Sequence, residues 1–187
     1  MVDLTALWLP ILLSSVAVFF ASFVIHMVLP FHWKDYSPLP SEDTVRAAMR
    51  NAGVGPGNYA VPCPGTPKEM GSPETVAKYK EGPVAFITVL RSGAPRMGKA
   101  LAQWFVFSLV VGVFVAYLVG RTNGPSADYR SVFRLAGTVA FLGYAGAEPL
   151  SSIWKGQKWG STVKSLIDGL VYALLTAGFF GWLWPNA

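Results

Sequence analysis

Residues 100–120 run for 21 positions without a charge, held between Lys99 and Arg121. As a helix this run is about 32 Å long, which matches the ~30 Å hydrocarbon core of a bilayer. A chain crossing lipid must satisfy its backbone hydrogen bonds internally, so the run is read as a transmembrane helix. Three further segments follow the same logic. Residues 4–29 are apolar and end at Pro30; residues 163–184 carry no charge from Gly169 onward and stop at Pro185. In 132–154 only 13 residues separate Arg134 from Glu148, and Pro149 interrupts the end. Only 13% of the chain is charged and 52% is hydrophobic, against about 25% charge in an ordinary soluble domain. That balance argues against a soluble enzyme, a disordered chain and a disulfide-rich secreted module. The first segment is too long for a signal-peptide core of about 7–15 residues, and no basic residue precedes it. It is read as a retained span.

Alternating the four spans places Trp8, Trp182 and Trp184 at one membrane face and Trp33, Trp104, Trp154 and Trp159 at the other, as an interfacial aromatic belt requires. The first connection carries nine Lys/Arg and the third carries three, Lys155, Lys158 and Lys164. The second carries Arg121, Arg130 and Arg134, and the tails carry none. The excess marks the cytoplasmic side, which gives an N-out, C-out multi-pass inner-membrane protein. The net charge of +5 is thus spread over loops rather than gathered beside stacking aromatics, and nucleic acid is not an expected partner.

The sequence therefore predicts an all-α integral membrane protein. Its four transmembrane helices lie at 4–29, 99–121, 132–154 and 163–184, with a small mixed α/β cytoplasmic insertion at 30–98. Within the insertion, Ser41 followed by Glu42 and Asp43 opens a short helix that ends before Gly53. Ser72-Pro73-Glu74 opens another, stopped by Gly82. Residues 58–64 contain Pro62 and Pro64 and should be extended; 84–90 are β-branched and suit a strand.

Small residues recur every four positions in two spans, as Ser108, Gly112, Ala116 and Gly120, and as Ser165, Gly169, Ala173, Ala177 and Gly181. The third span adds Ala136, Ala140, Gly143 and Ala147. Lipid gives helices no hydrophobic reason to associate, so such ridges are where backbones approach closely. They serve packing within the chain, a homo-oligomer or docking on another membrane subunit.

Ionisable groups near the bilayer are where function is sought first. His26, Glu148 and Asp168 fall toward the cytoplasmic ends of their spans, with Tyr144 four residues before Glu148 and Lys164 four before Asp168. They are candidates for relaying protons, holding an ion or gating a solute. The competing reading leaves them wet at the headgroup level, with Lys164 and Asp168 paired and Glu148-Pro149 marking the end of the third helix. His26 and His32 are separated by Pro30 and cannot share a regular helix face, so no metal site and no cofactor is expected. Cys63 permits no internal disulfide. No phosphate-binding glycine loop, nucleophile elbow or metalloprotease helix occurs, and no catalytic residue is assigned.

His26-Met27-Val28-Leu29-Pro30-Phe31-His32, Tyr79-Lys80 with Gly82-Pro83, Ser152-Ile153-Trp154-Lys155-Gly156-Gln157, and the closing run from Ile167-Asp168-Gly169-Leu170 to Gly181-Trp182-Leu183-Trp184-Pro185 stand out as a set. Together they resemble a group of uncharacterised bacterial four-span inner-membrane proteins. The resemblance implies a bacterial inner membrane and no activity. The leading expectation is an assembly or accessory component of a membrane complex. The alternatives are a small oligomeric transporter or channel built on His26, Glu148 and Asp168, and an interfacial enzyme acting on lipid or quinone beside residues 84–90. A phosphatase reporter fused after Trp184 should be active outside the cytoplasm, and one inserted within 30–98 inactive. The reverse pattern would invert the orientation.

Overall fold

The computed structural model describes residues 1–186, which divide into two compact units. The first comprises Met1–Tyr36 and the chain from Arg96 onward; the second is Ser37–Pro95. The first unit begins with a 3-10 turn, Leu4–Leu7, and helix α1, Trp8–Phe23. α1 widens into a π-helical turn, Val24–Val28, and after Leu29 a 3-10 turn follows at Pro30–His32. In the second unit are α2 (Glu42–Asn51), β1 (Gly57–Val61), the single-turn α3 (Pro67–Met70), α4 (Pro73–Glu81) and β2 (Ala85–Val89). The first unit resumes with α5 (Met97–Thr122), α6 (Tyr129–Ala145), α7 (Glu148–Lys155) and α8 (Trp159–Trp182).

Three helical stretches are long and apolar enough to cross a membrane: Leu4–Val28, α5 and α8. The segment expected at 132–154 is not one helix. α6 ends at Ala145, Gly146 and Ala147 turn the chain, and α7 starts at Glu148 with Pro149 in its first turn. Proline has no N–H to donate and its ring would collide with the carbonyl four residues back, at Ala145. The same ring is well suited to a helix start. Glu148 thus opens a helix rather than closing one. α7 in turn stops at Gly156, whose φ of 68° suits the left-handed position after a helix end.

α6 packs along α8, α8 against α1, α1 against α5, and α5 against α6. The interior where they meet is filled by Leu7, Val115, Val119, Val132, Ala136, Ala140, Ala177 and Phe180. The two small-residue ridges are engaged within the chain. A Cβ on Gly169 would fall 2.5 Å from the Ala145 Cβ, one on Gly181 2.6 Å from the Tyr129 ring, and one on Gly112 3.2 Å from the Ile11 side chain. At Gly120 it would meet the Val2 carbonyl at 2.6 Å, where the Val2 N–H donates to the Gly120 carbonyl at 2.8 Å. Buried hydroxyls turn back onto their own helices. Ser15 donates to the Ile11 carbonyl (2.8 Å) and Thr176 to that of Tyr172 (2.9 Å), so burial leaves neither unpaired.

Two of the seven tryptophans make internal hydrogen bonds. The Trp184 indole is buried and donates to the Gly124 carbonyl at 3.0 Å, and Trp104 donates to Ser22 Oγ at 2.9 Å. Both are ordered by internal hydrogen bonds that an interfacial ring would make to water.

In the second unit β1 and β2 pair antiparallel, from Gly57 opposite Val89 to Val61 opposite Ala85. The extended stretch and the β-branched run are therefore partners. α4 is capped by Ser72, whose Oγ accepts from the Thr75 N–H at 3.3 Å. Ser41 makes no such bond; it adopts φ 50°, ψ 44° and α2 starts after it. No residue of this unit is buried.

Gly169→Ala and Gly178→Ala should have opposite effects in detergent-solubilised protein. At 169 the new methyl strikes Ala145 and should cost about 1–3 kcal/mol. At 178 nothing lies within 4 Å, and the gain in helix propensity should stabilise by about 0.5–1 kcal/mol. Thermal unfolding midpoints read both.

Candidate functional site

The site forms where α1 loses its α-helical register. The Leu29 N–H donates to the Val24 carbonyl at 3.0 Å, a five-residue step that inserts one extra residue into the turn. Leu29 is then extended (φ −84°, ψ 138°) and Pro30 starts the 3-10 turn. This fold-back lays the His32 ring over the His26 ring, with centroids 4.6 Å apart and planes 10° from parallel. The regular-helix spacing that keeps these residues apart does not apply across the turn. The expected absence of a histidine-based cluster is corrected accordingly.

The two imidazoles face Asp168 on α8. His32 Nε2 lies 2.8 Å and His26 Nε2 4.0 Å from the same oxygen, Asp168 Oδ2. The Asp168 side chain is 7% exposed, so the carboxylate is inside the helix packing rather than wet. It also lies well into α8, not at an N-terminus, and it does not pair with Lys164. Lys164 Nζ instead donates to Asp35 Oδ1 and to the Phe31 carbonyl, both at 2.6 Å. Asp35 Oδ2 in turn accepts from His32 Nδ1 at 2.6 Å. Lys164 and Asp168 sit four apart on α8, but the 30–35 turn presents a carboxylate to Lys164 and the histidines to Asp168.

A cavity of about 440 Å³ adjoins this cluster. Its walls are Phe19 and Phe23 from α1, Trp104 and Leu101 from α5, Tyr144 from α6 and Tyr172 from α8. Trp104 lies 5.7 Å from Tyr172 and 6.1 Å from Tyr144, centroid to centroid. His26, Glu148, Ser165 and Asp168 contribute polar groups. All four candidates from the sequence, His26, Tyr144, Glu148 and Asp168, therefore line one cavity. Tyr144 and Glu148 do so from separate helices, joined by the turn at Gly146. The Tyr172 hydroxyl is buried and has no hydrogen-bond partner among the described residues. An unpaired buried hydroxyl costs roughly 1–3 kcal/mol.

Sequence reasoning missed His32, Asp35, Trp104 and Tyr172. The three-residue spacing of His32 and Asp35 after Pro30 was the available signal for a local pair. Nothing in the spacing indicated Trp104 or Tyr172, which meet only through packing. Cys63 is not among the residues lining this cavity; it is exposed in the second unit, between Pro62 and Pro64 in sequence. No protein-family model, curated protein or solved structure matches the chain.

The Lys164 ammonium, donating to Asp35, holds that carboxyl below its usual range; burial opposes this, and the bond from His32 reinforces it. The folded state thus favours the ionised carboxyl. Its contribution to stability is full above the unfolded value of about 3.9 and is lost as pH falls through the lower folded value. Lys164→Met should lower the thermal midpoint at neutral pH and flatten the loss of midpoint below about pH 4. Melting curves of both proteins across pH 3–7 check this.

Proposed function

We propose that the chain is a four-span inner-membrane protein, with both termini outside, that binds a small amphipathic molecule taken from the bilayer. In this reading α6, about 26 Å long, completes the fourth crossing with help from the turn at Gly146. The ligand has a flat or chain-like apolar body and an oxygen-bearing polar end, as quinones and single-chain lipids do. The observation that carries the proposal is the aromatic cavity lined at one side by His26, Glu148, Ser165 and Asp168. Ligand sites are commonly mostly apolar, with a few placed polar groups that fix orientation.

The small-residue ridges that favoured an assembly role are engaged within the chain, which supports reading the function in the cavity instead. A pore would need its polar lining to continue between the helices. Beyond the cavity, Val111, Val115 and Val119 of α5 are buried against apolar neighbours instead.

Titration of the detergent-solubilised protein with a short-chain quinone and with a single-chain fatty alcohol tests the reading through tryptophan fluorescence. Saturable binding of one of them is expected. Leu101→Trp, which fills the cavity, should abolish it. Glu148→Ala should weaken it roughly 2–10-fold, the worth of one hydrogen bond. Unsaturable partitioning, or binding unchanged in both variants, would overturn the proposal.

A further inference from the structure

The geometry points to a divalent transition-metal site formed by His26, His32 and Asp168. It stands on the side chains alone and does not require the cavity ligand. The three residues present donor atoms that all lie within 4.8 Å of one another. More telling is how each ring is held. His26 Nδ1 lies 3.1 Å from the Ser22 carbonyl and His32 Nδ1 lies 2.6 Å from Asp35 Oδ2. Carbonyl and carboxylate oxygens only accept, so each Nδ1 carries the proton and each neutral ring keeps its lone pair on Nε2. Both Nε2 atoms are thereby left beside the same carboxylate oxygen, at 2.8 and 4.0 Å.

Left alone, that arrangement is unfavourable. His32 Nε2 is buried and 2.8 Å from Asp168 Oδ2, yet off the line a ring hydrogen would take, and it has no hydrogen-bond partner among the described residues. A buried carboxylate oxygen this close to an imidazole nitrogen favours a nearby cation, which a metal ion would supply. Metal-binding histidines characteristically donate the other ring N–H to a carboxylate or backbone carbonyl, which fixes the tautomer and raises ligand basicity. Both forms of that support occur here, and Lys164 anchors the Asp35 carboxylate from behind. Two imidazoles and one carboxylate suit zinc, cobalt or ferrous iron rather than magnesium or calcium, which prefer all-oxygen shells. Ligands about 2.0–2.2 Å from one metal stand roughly 3–3.5 Å apart, so His32 Nε2 and Asp168 Oδ2 have to part slightly from 2.8 Å and His26 Nε2 has to approach from 4.0 Å; His26, half exposed on the cavity side, is the ring free to move. Three protein ligands leave coordination positions open, and His26 and Asp168 both border the cavity.

The test is cobalt and zinc binding to full-length, tag-free, chelator-stripped protein in detergent. Expected are one ion per chain, a visible ligand-field spectrum with cobalt, displacement of cobalt by zinc, and no competition from millimolar magnesium. His26→Ala, a half-exposed position whose loss spares the packing, should weaken zinc binding at least tenfold. Asp35→Asn should weaken it about 10–100-fold by releasing the ring of His32, with the thermal midpoint reported alongside to confirm folding. No stoichiometric ion in the wild type, binding of magnesium equal to that of zinc, or zinc affinity unchanged in folded His26→Ala would overturn the site. Quinone or fatty-alcohol binding by the metal-stripped protein reads the cavity separately. Either result can fail while the other holds.

Discussion

Helices in lipid gain nothing by hiding leucine from leucine, so what draws them together is the distance to which their backbones can close. In this chain the decisive closure is at Gly169, where α8 lies so near α6 that even a methyl group would overlap Ala145. Asp168 is the neighbouring residue. Once α8 is committed to that contact, the carboxylate is held inside the helix packing, and the chain has to provide partners where the carboxylate stands. The 30–35 turn provides them, and the turn exists because α1 widens and then breaks at Leu29 and Pro30. Packing of small residues and the polar cluster are thus one arrangement, with the first imposing the second.

Charge is distributed through the cluster in an ordered series. Lys164 faces Asp35, Asp35 faces His32, and His32 faces Asp168. Each member is oriented by the one before it, from the partly exposed lysine to the almost fully buried aspartate. The aromatic cavity lies against the buried end, so whatever enters it meets the end of the series that is least screened by water.

The apolar segments, their approximate limits and the short elements of the insertion were legible because they follow from local chemistry: uncharged length, capping serines, prolines and glycine stops. The division of 132–154 was written in Pro149 and Gly146, yet hydropathy averages over such breaks. His26, Tyr144, Glu148 and Asp168 were legible as ionisable or polar groups near a membrane. Their convergence was not, since it depends on which helix packs on which. His32 was misjudged for a different reason. Spacing arguments assume regular helix geometry, and a π-helical turn followed by an extended residue is the situation in which they fail.

The two ends of the helical unit are not built alike. At the end away from the site the chain is tied across itself three times, by Val2 to Gly120, Trp184 to Gly124 and Ser126 to Pro185. At the other end the ties run through charged and polar side chains: Lys164 to the Phe31 carbonyl and to Asp35, His32 beside Asp168, and Trp104 to Ser22. One end of the unit is therefore closed by neutral groups and the other by charged ones. Salt, pH or a bound ion acts on the end beside His26 and Asp168 and leaves the opposite end as it is.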